Sequence, residues 1–161
     1  MTGKRWLPIA GLILLAGAML AGGAAAAPGP RGIWLTEDSG GAVEIFDCGA
    51  ALCGRIVWQK SRFRADGSLN VDDRNPNPAL RQQPICGLQI ISRMRPSGPN
   101  AWDQGRIYDP DSGKTYRAML TLEGADALRL RGYIGIPLLG ASQLWRRAPP
   151  GLALCTEPKV R

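Results

Sequence analysis

The chain has 161 residues and a formal net charge of +7, with 45% apolar residues, 20% charged residues, four cysteines and no histidine. This length fits one domain, and the apolar fraction is that of a folded globular protein, which excludes a wholly disordered chain. The absence of histidine excludes Ser-His-Asp and Cys-His catalytic pairs as well as zinc sites built on imidazole.

The first segment has the composition of a secretory signal peptide. Two basic residues precede an apolar run over residues 7–20, and small residues at A-x-A spacing lead to Ala26. We expect cleavage after Ala26, with Ala24 as the alternative, so that residues 1–26 are the signal and residues 27–161 form a single domain with a net charge of +5. An uncleaved membrane anchor is the competing interpretation, but the run is short for a bilayer.

Eight short segments with alternating apolar and polar residues follow, and each predicts a β-strand. In the third segment, Ile56 and Trp58 are expected on one face, with Arg55 and Val57 on the other. Tight turns join most segments, so we predict an all-β fold, an eight-stranded antiparallel up-and-down barrel whose closure removes exposed strand edges. The predicted strands span residues 32–37, 43–46, 53–59, 88–94, 101–108, 114–123, 128–136 and 141–147.

One long connection interrupts these strands. Residues 61–83 show no sustained periodicity and are rich in Arg, Asp, Asn and Pro. Connections of this length in compact domains are usually functional or mobile, so we predict a lid over an open end of the barrel. Within it, Asp72 and Asp73 are adjacent and would point to opposite sides of an extended chain. We expect both carboxylates to be solvated or paired with arginine.

Residues that could carry catalytic or metal chemistry are few. The oxygen spacing from Asp66 to Asp72 resembles a calcium loop, but Val71 and Asn77 occupy the positions that require glycine and glutamate. The sequence contains neither a phosphate-binding glycine loop nor a nucleophile elbow. We therefore expect a protein that is not an enzyme, with no cofactor and no metal ion.

The four cysteines all follow the predicted signal, where an oxidising compartment favours disulfides. Cys48 and Cys53 bracket a loop of hairpin length, which brings facing residues within disulfide reach. We pair these two and, by elimination, Cys86 with Cys155, which would attach the C-terminal tail to the barrel wall. A zinc site is the competing interpretation of the first pair.

Aromatic residues and the two ends of the barrel sequence suggest a closure. Trp34 follows Gly32 in the first predicted strand, and Arg147 ends the last one. A guanidinium can lie flat over an indole and donate to nearby carbonyls, so we predict that Arg147 covers Trp34. The other rings either fill the interior or line a cavity for an apolar or amphipathic ligand.

The residues of this closure resemble the calycin and lipocalin pattern. A longer series of segments resembles bacterial domain-of-unknown-function family 2147, small exported proteins with a lipocalin-like barrel, over about residues 32–147. The segments are GIWLTE at 32–37, LCGRIVW at 52–58, DRNP at 73–76, GRIYDP at 105–110, GKTY at 113–116, LRGYIG at 130–135 and QLWRR at 143–147.

This resemblance implies a lipocalin-like barrel, export to the periplasm or medium, and binding of a small hydrophobic or amphipathic molecule. By family position, Asn75 and Arg81 belong to the long connection, whereas the three tyrosines belong to the sheet. The candidate ligand-binding residues are Trp58, Trp102, Tyr108, Tyr116, Tyr133, Asn75 and Arg81.

Two classes of function stay open. The first is a carrier or sensor in the cell envelope that holds the ligand inside the barrel. The second has no internal ligand and docks on an envelope partner, a polysaccharide or a lipid surface through its basic exterior and residues 61–83. Nucleic acid is not an expected partner, because the basic residues are spread singly and form no stripe with aromatics. We expect no transmembrane span in the mature chain.

Overall fold

A computed structural model describes residues 29–155, so the predicted signal peptide lies outside the described residues. Eight antiparallel strands pair in chain order, and the last strand pairs with the first, which closes the barrel and confirms the predicted fold class. Within residues 29–155, no helix is long and apolar enough to span a membrane. The elements are β1 (Gly32–Leu35), β2 (Gly41–Cys48), β3 (Ala51–Gln59), a 3₁₀ turn (Pro78–Leu80), β4 (Gln89–Gly98), β5 (Ala101–Asp109), β6 (Lys114–Leu122), β7 (Ala127–Tyr133) and β8 (Gly140–Arg147).

Apolar side chains at alternating strand positions build the core. Val43 and Ile45 in β2 and Leu128 and Leu130 in β7 are buried, as the alternation predicts. Burying each such side chain contributes about 1.5–3 kcal/mol relative to leaving it in water. The core consists of Trp34, Val43, Ile45, Leu52, Ile56, Ile85, Leu88, Ile90, Ile91, Met94, Ala118, Leu120, Leu122, Leu128, Leu130 and Trp145.

The predicted faces of β3 are wrong at its C-terminal end. Ile56 pairs with Val43, whereas Trp58 pairs with Ala42, because the register shifts between these pairs. Successive residues of β2 point to opposite faces of the sheet, so Ile56 and Trp58 lie on opposite faces. A bulge inserts one extra residue into β3, which the alternation alone does not reveal. Trp58 therefore lies on the outside of the barrel.

The seventh strand is shorter than predicted. It ends at Tyr133 rather than at residue 136, although the apolar run continues. Gly135 has a φ of 73°, which takes the chain out of the extended conformation. The fourth strand is longer than predicted and ends at Gly98 instead of residue 94.

The connections define two ends. The turns at residues 49–50, 99–100 and 123–126 lie at one end, which we call the closed end. The connections at residues 36–40, 60–88, 110–113 and 134–139 lie at the other, which we call the open end. This arrangement follows from the up-and-down topology, because alternate connections of a meander lie on the same side.

Arg147 covers Trp34 at the closed end. Its guanidinium carbon lies 4.1 Å from the centroid of the indole ring. Its three nitrogens donate to the carbonyls of Arg31 and Gly29, both at 2.9 Å, and of Ala125 at 3.0 Å. One side chain therefore joins the segment before β1, the end of β8 and the turn between β6 and β7.

The backbone next to this contact is built for close approach. Trp34 is completely buried, and its Nε1 donates to the carbonyl of Pro30 at 2.8 Å. Gly32 has a φ of 114°, and a Cβ there would lie 3.0 Å from the Nη1 of Arg147. Only glycine meets both requirements without strain, which accounts for the glycine two residues before the tryptophan.

The two disulfides confirm the predicted pairing. Cys48–Cys53 joins the ends of β2 and β3, and Cys86–Cys155 holds the C-terminal tail. The backbone N–H of Cys155 also donates to the carbonyl of Val57 at 2.8 Å, so the tail lies along β3. Because both sulfurs of the first pair are in a disulfide, that pair is not a zinc site. Such bonds fit an oxidising compartment.

Candidate ligand-binding site

A cavity of about 630 Å³ lies at the open end beside the connection between β7 and β8; we call it the loop cavity. Its walls are mainly apolar. It is lined by Ile107, Asp109, Tyr116, Leu130, Gly132, Tyr133, Ile134, Leu138, Leu139, Gly140, Ala141 and Gln143.

A second cavity of about 510 Å³ lies beside it and reaches the apolar core; we call it the core cavity. It contacts Trp145 of the core and shares Ile107, Asp109 and Gln143 with the loop cavity. Because the same three side chains border both spaces, the cavities adjoin. Both volumes fall in the range of small-molecule sites, roughly 300–1,000 Å³.

Small residues on neighbouring strands leave this space. Gly132 of β7 pairs with Ala118 of β6 and with Ala141 of β8, so a row of small residues crosses three strands. A Cβ added at Gly132 would lie 3.7 Å from Ile107 and 3.8 Å from Tyr116, which are ordinary contact distances. The space inside the barrel is therefore left by small side chains, and a larger side chain at Gly132 would fit without moving the backbone.

A few polar groups face the core cavity. The Oε1 of Gln143 accepts a hydrogen bond from the Nε1 of Trp145 at 2.8 Å. The Oε1 of Gln59 is buried and has no hydrogen-bond partner among the described residues. Asp109 is already engaged, because its carboxylate accepts from the backbone N–H of Asp111 and the hydroxyl of Ser112. Gln59 thus carries a buried acceptor that has no donor in residues 29–155.

A buried carboxylate fixes the wall of this cavity. Asp72 is completely buried, and its two oxygens accept from the hydroxyl of Tyr108 and the amide of Asn75, both at 2.6 Å. Burial, together with the hydrogen bond to Asp72, raises the pKa of Tyr108 to about 12. The expectation of a solvated or arginine-paired Asp72 is wrong, because Tyr108 and Asn75 replace water as donors. Asp73 is exposed and pairs with Arg64 at 2.7 Å, as expected.

The long connection, predicted as a lid, is held against the barrel by backbone and side-chain bonds. The N–H of Gly87 donates to the carbonyl of Ile56 in β3 at 2.8 Å, and Arg74 donates to the carbonyl of Asp111 in the turn between β5 and β6. At Gly113 in that turn, a Cβ would collide with the carbonyl of Arg74. The connection is therefore a wall of the open end.

The connection between β7 and β8, residues 134–139, has the opposite character. The exposed fractions of Ile134, Ile136, Leu138 and Leu139 are 67%, 55%, 81% and 69%. Three of the four also line the loop cavity. We call these six residues the apolar loop. The alternation predicts a strand over the first half of this run, and it does not indicate that these residues line a cavity.

The structure separates the candidate ligand-binding residues into two groups. Tyr108 lines the core cavity, and Tyr116 and Tyr133 line the loop cavity. The other four do not line these cavities. Trp58 lies outside, Trp102 packs against the core, Asn75 is bonded to Asp72, and Arg81 donates to the carbonyl of Asn75.

Several lining residues were not among the predicted ligand-binding residues. Ile107 in β5 and Leu130 in β7 occupy inward positions that the alternation could have identified. Gln59 and Gln143 gave no comparable signal, because a polar residue at an inward position is not distinctive in a single sequence. In residues 29–155, no group of three or more Cys, Asp or Glu side chains could hold a metal ion.

Comparisons with known proteins agree with this architecture. Residues 32–147 match the family described as "Uncharacterized protein conserved in bacteria (DUF2147)". A similar solved structure is protein HP1028 from Helicobacter pylori, described as belonging to the lipocalin family, with a TM-score of 0.64 and 23% identity over 77% of this chain and 84% of that chain. This likeness shows a shared lipocalin-like fold. No curated protein matches the chain.

Proposed function

The chain belongs to the uncharacterized bacterial family DUF2147, and we propose that it binds a small amphipathic molecule in the cavities at the open end of its barrel. The observation that carries this proposal is the pair of adjoining cavities with mainly apolar walls and few polar groups. Apolar walls supply affinity by removing ligand surface from water, and the few polar groups set its orientation.

The polar groups define the ligand further. Within residues 29–155 nothing donates to the buried Oε1 of Gln59, and an unpaired buried acceptor costs about 1–3 kcal/mol. Rotation of the Gln59 amide into the core cavity would let a ligand N–H or O–H group donate to this oxygen while the apolar part of the ligand lies against Ile107 and Leu130. The proposed ligand is therefore an amphipathic molecule with a hydrogen-bond donor at its polar end.

The sequence and the disulfides support a place in the cell envelope. Residues 1–26 have the composition of a secretory signal, and two disulfides favour an oxidising compartment. We propose binding without catalysis, because the chain has no histidine and the one carboxylate shared by both cavities, Asp109, is engaged in its own turn. A periplasmic or secreted carrier accounts for these features together.

A cavity-filling variant tests the proposal. N-phenylnaphthylamine is a neutral dye whose fluorescence rises in apolar surroundings, and we expect the purified protein to bind it saturably. Gly132→Leu should abolish this binding, since the new side chain would occupy the loop cavity. Gly98→Leu, the same change at an exposed strand position at the closed end, is the matched control and should leave binding unchanged.

Mass spectrometry of protein purified from its own cell envelope would then identify the natural ligand. We expect a co-purifying amphipathic molecule with the wild-type protein and none with Gly132→Leu. Equal dye binding by Gly132→Leu and the wild type, with both folded, would contradict a site in the cavities.

A further inference from the structure

The apolar loop differs from the rest of the surface in concentrating aliphatic side chains. Single exposed apolar residues are common on protein surfaces, but contiguous ones mark contact sites. Ile134, Ile136, Leu138 and Leu139 lie within six residues, and each is more than half exposed. The loop contains no charged side chain. Its tip is suited to an apolar phase.

Five of the six carbonyls of this loop accept hydrogen bonds from other groups of the protein. Arg117 donates to the carbonyl of Gly135 at 3.2 Å, and Arg131 donates to two further carbonyls. The carbonyls of Ile136 and Leu139 accept from backbone N–H groups within the loop. An unsatisfied carbonyl is costly in hydrocarbon, so a loop that enters an apolar phase needs such internal partners. The satisfied carbonyls are those of Gly135, Ile136, Pro137, Leu138 and Leu139.

Three arginines lie on one side of the base of the loop, on the outer wall. Arg106 of β5 and Arg117 of β6 are direct cross-strand partners, and both are exposed. Like charges in this arrangement repel, so their pairing favours the presence of an anionic partner. Arg93 borders the same surface depression, where Asp103 is the single carboxylate. In residues 29–155, no carboxylate oxygen lies within 4.0 Å of a side-chain nitrogen of these three arginines.

From these three observations we infer that the apolar loop docks on an anionic phospholipid bilayer. The aliphatic tip enters the interface, while the adjacent arginines contact the lipid phosphates. The aliphatic tip matches the hydrocarbon of the bilayer, and the adjacent arginines match its anionic phosphates. Docking would place the mouth of the loop cavity at the bilayer. The inference rests on the outer surface of the loop and stands whether or not the cavities hold a ligand.

Vesicle sedimentation tests the docking. We expect the purified protein to pellet with vesicles of phosphatidylcholine and phosphatidylglycerol in equal parts, and much less with phosphatidylcholine alone. Leu138→Asp should weaken binding roughly tenfold or more, since it places a charge where apolar surface is buried. Leu80→Asp changes another exposed leucine, in the long connection, and should bind like the wild type. Arg106→Gln should weaken binding about fivefold.

A fluorescence measurement locates the inserted segment. In Leu138→Trp, the new indole should shift its emission to shorter wavelength when anionic vesicles are added, whereas Leu80→Trp should show no shift. Gly132→Leu should still bind vesicles, which separates docking from ligand binding. Equal vesicle binding by Leu138→Asp and the wild type would overturn the inference. So would a concentration-dependent dimer that Leu138→Asp abolishes without lipid, because it would assign the loop to a second copy of the chain.

Discussion

The two ends of the barrel are built from the same alternation of apolar and polar residues but differ in the size of the inward side chains. At the closed end, Trp34 fills the interior and Arg147 covers it. At the open end, Gly132 and Ala141 face the space that large residues fill elsewhere. The strand pattern therefore sets the barrel, and side-chain size decides which end is packed. Stability and binding should respond to mutations at different ends.

The largest loss of unfolding free energy is expected for a mutation at the closed end. Trp34→Ala removes a completely buried ring and leaves the guanidinium of Arg147 without its stacking partner. Losses for such large-to-small changes are about 3–5 kcal/mol. Urea denaturation should show a free energy of unfolding reduced by that amount. Trp58→Ala, on the outer face, is the control and should cost clearly less. Equal losses for the two variants would remove the distinction between core and surface tryptophan.

The next effect is expected at the buried carboxylate of the open end. Asp72→Ala leaves the hydroxyl of Tyr108 and the amide of Asn75 without their acceptor, which should cost about 2–3 kcal/mol. Its neighbour Asp73 supplies a matched control, because it is exposed and makes a surface ion pair with Arg64. Asp73→Ala should cost less than about 1 kcal/mol. Thermal unfolding of both variants checks the difference, and equal melting temperatures would argue against a structural role for Asp72.

The hydrogen bond between Tyr108 and Asp72 predicts that the free energy of unfolding depends on pH in the alkaline range. The folded protein raises the pKa of Tyr108 to about 12, whereas an unfolded tyrosine loses its proton near pH 10. The folded state therefore binds this proton more tightly, and the stabilisation is complete below pH 10 and declines as the pH approaches 12. We expect the difference in unfolding free energy between wild type and Tyr108→Phe to shrink across this interval. A constant difference from pH 9 to pH 12 would contradict the linkage.

The sequence predicted the barrel and its closure because both depend on local patterns: alternation within strands and the Gly-x-Trp and Arg positions at the two ends. It did not predict the burial of Asp72, whose partner Tyr108 is 36 residues away. Trp58 was placed on the wrong face because a bulge depends on how two strands pair. The first half of the apolar loop resembled a strand extension because its residues are apolar, and the alternation does not reveal the positive φ of Gly135, where the chain leaves the extended conformation.

The smallest effect on stability is expected at Gln59. Its buried Oε1 has no donor in residues 29–155, which destabilises the folded state. Gln59→Leu should therefore leave the unfolding free energy unchanged or raise it by up to about 1 kcal/mol. Binding should respond in the opposite sense: N-phenylnaphthylamine binds at least as well, while the amphipathic ligand recovered from the envelope binds more weakly. Calorimetric titration with that ligand measures the change. A destabilised Gln59→Leu with unaltered affinity would assign this glutamine to the architecture, because residues kept for binding characteristically lower stability.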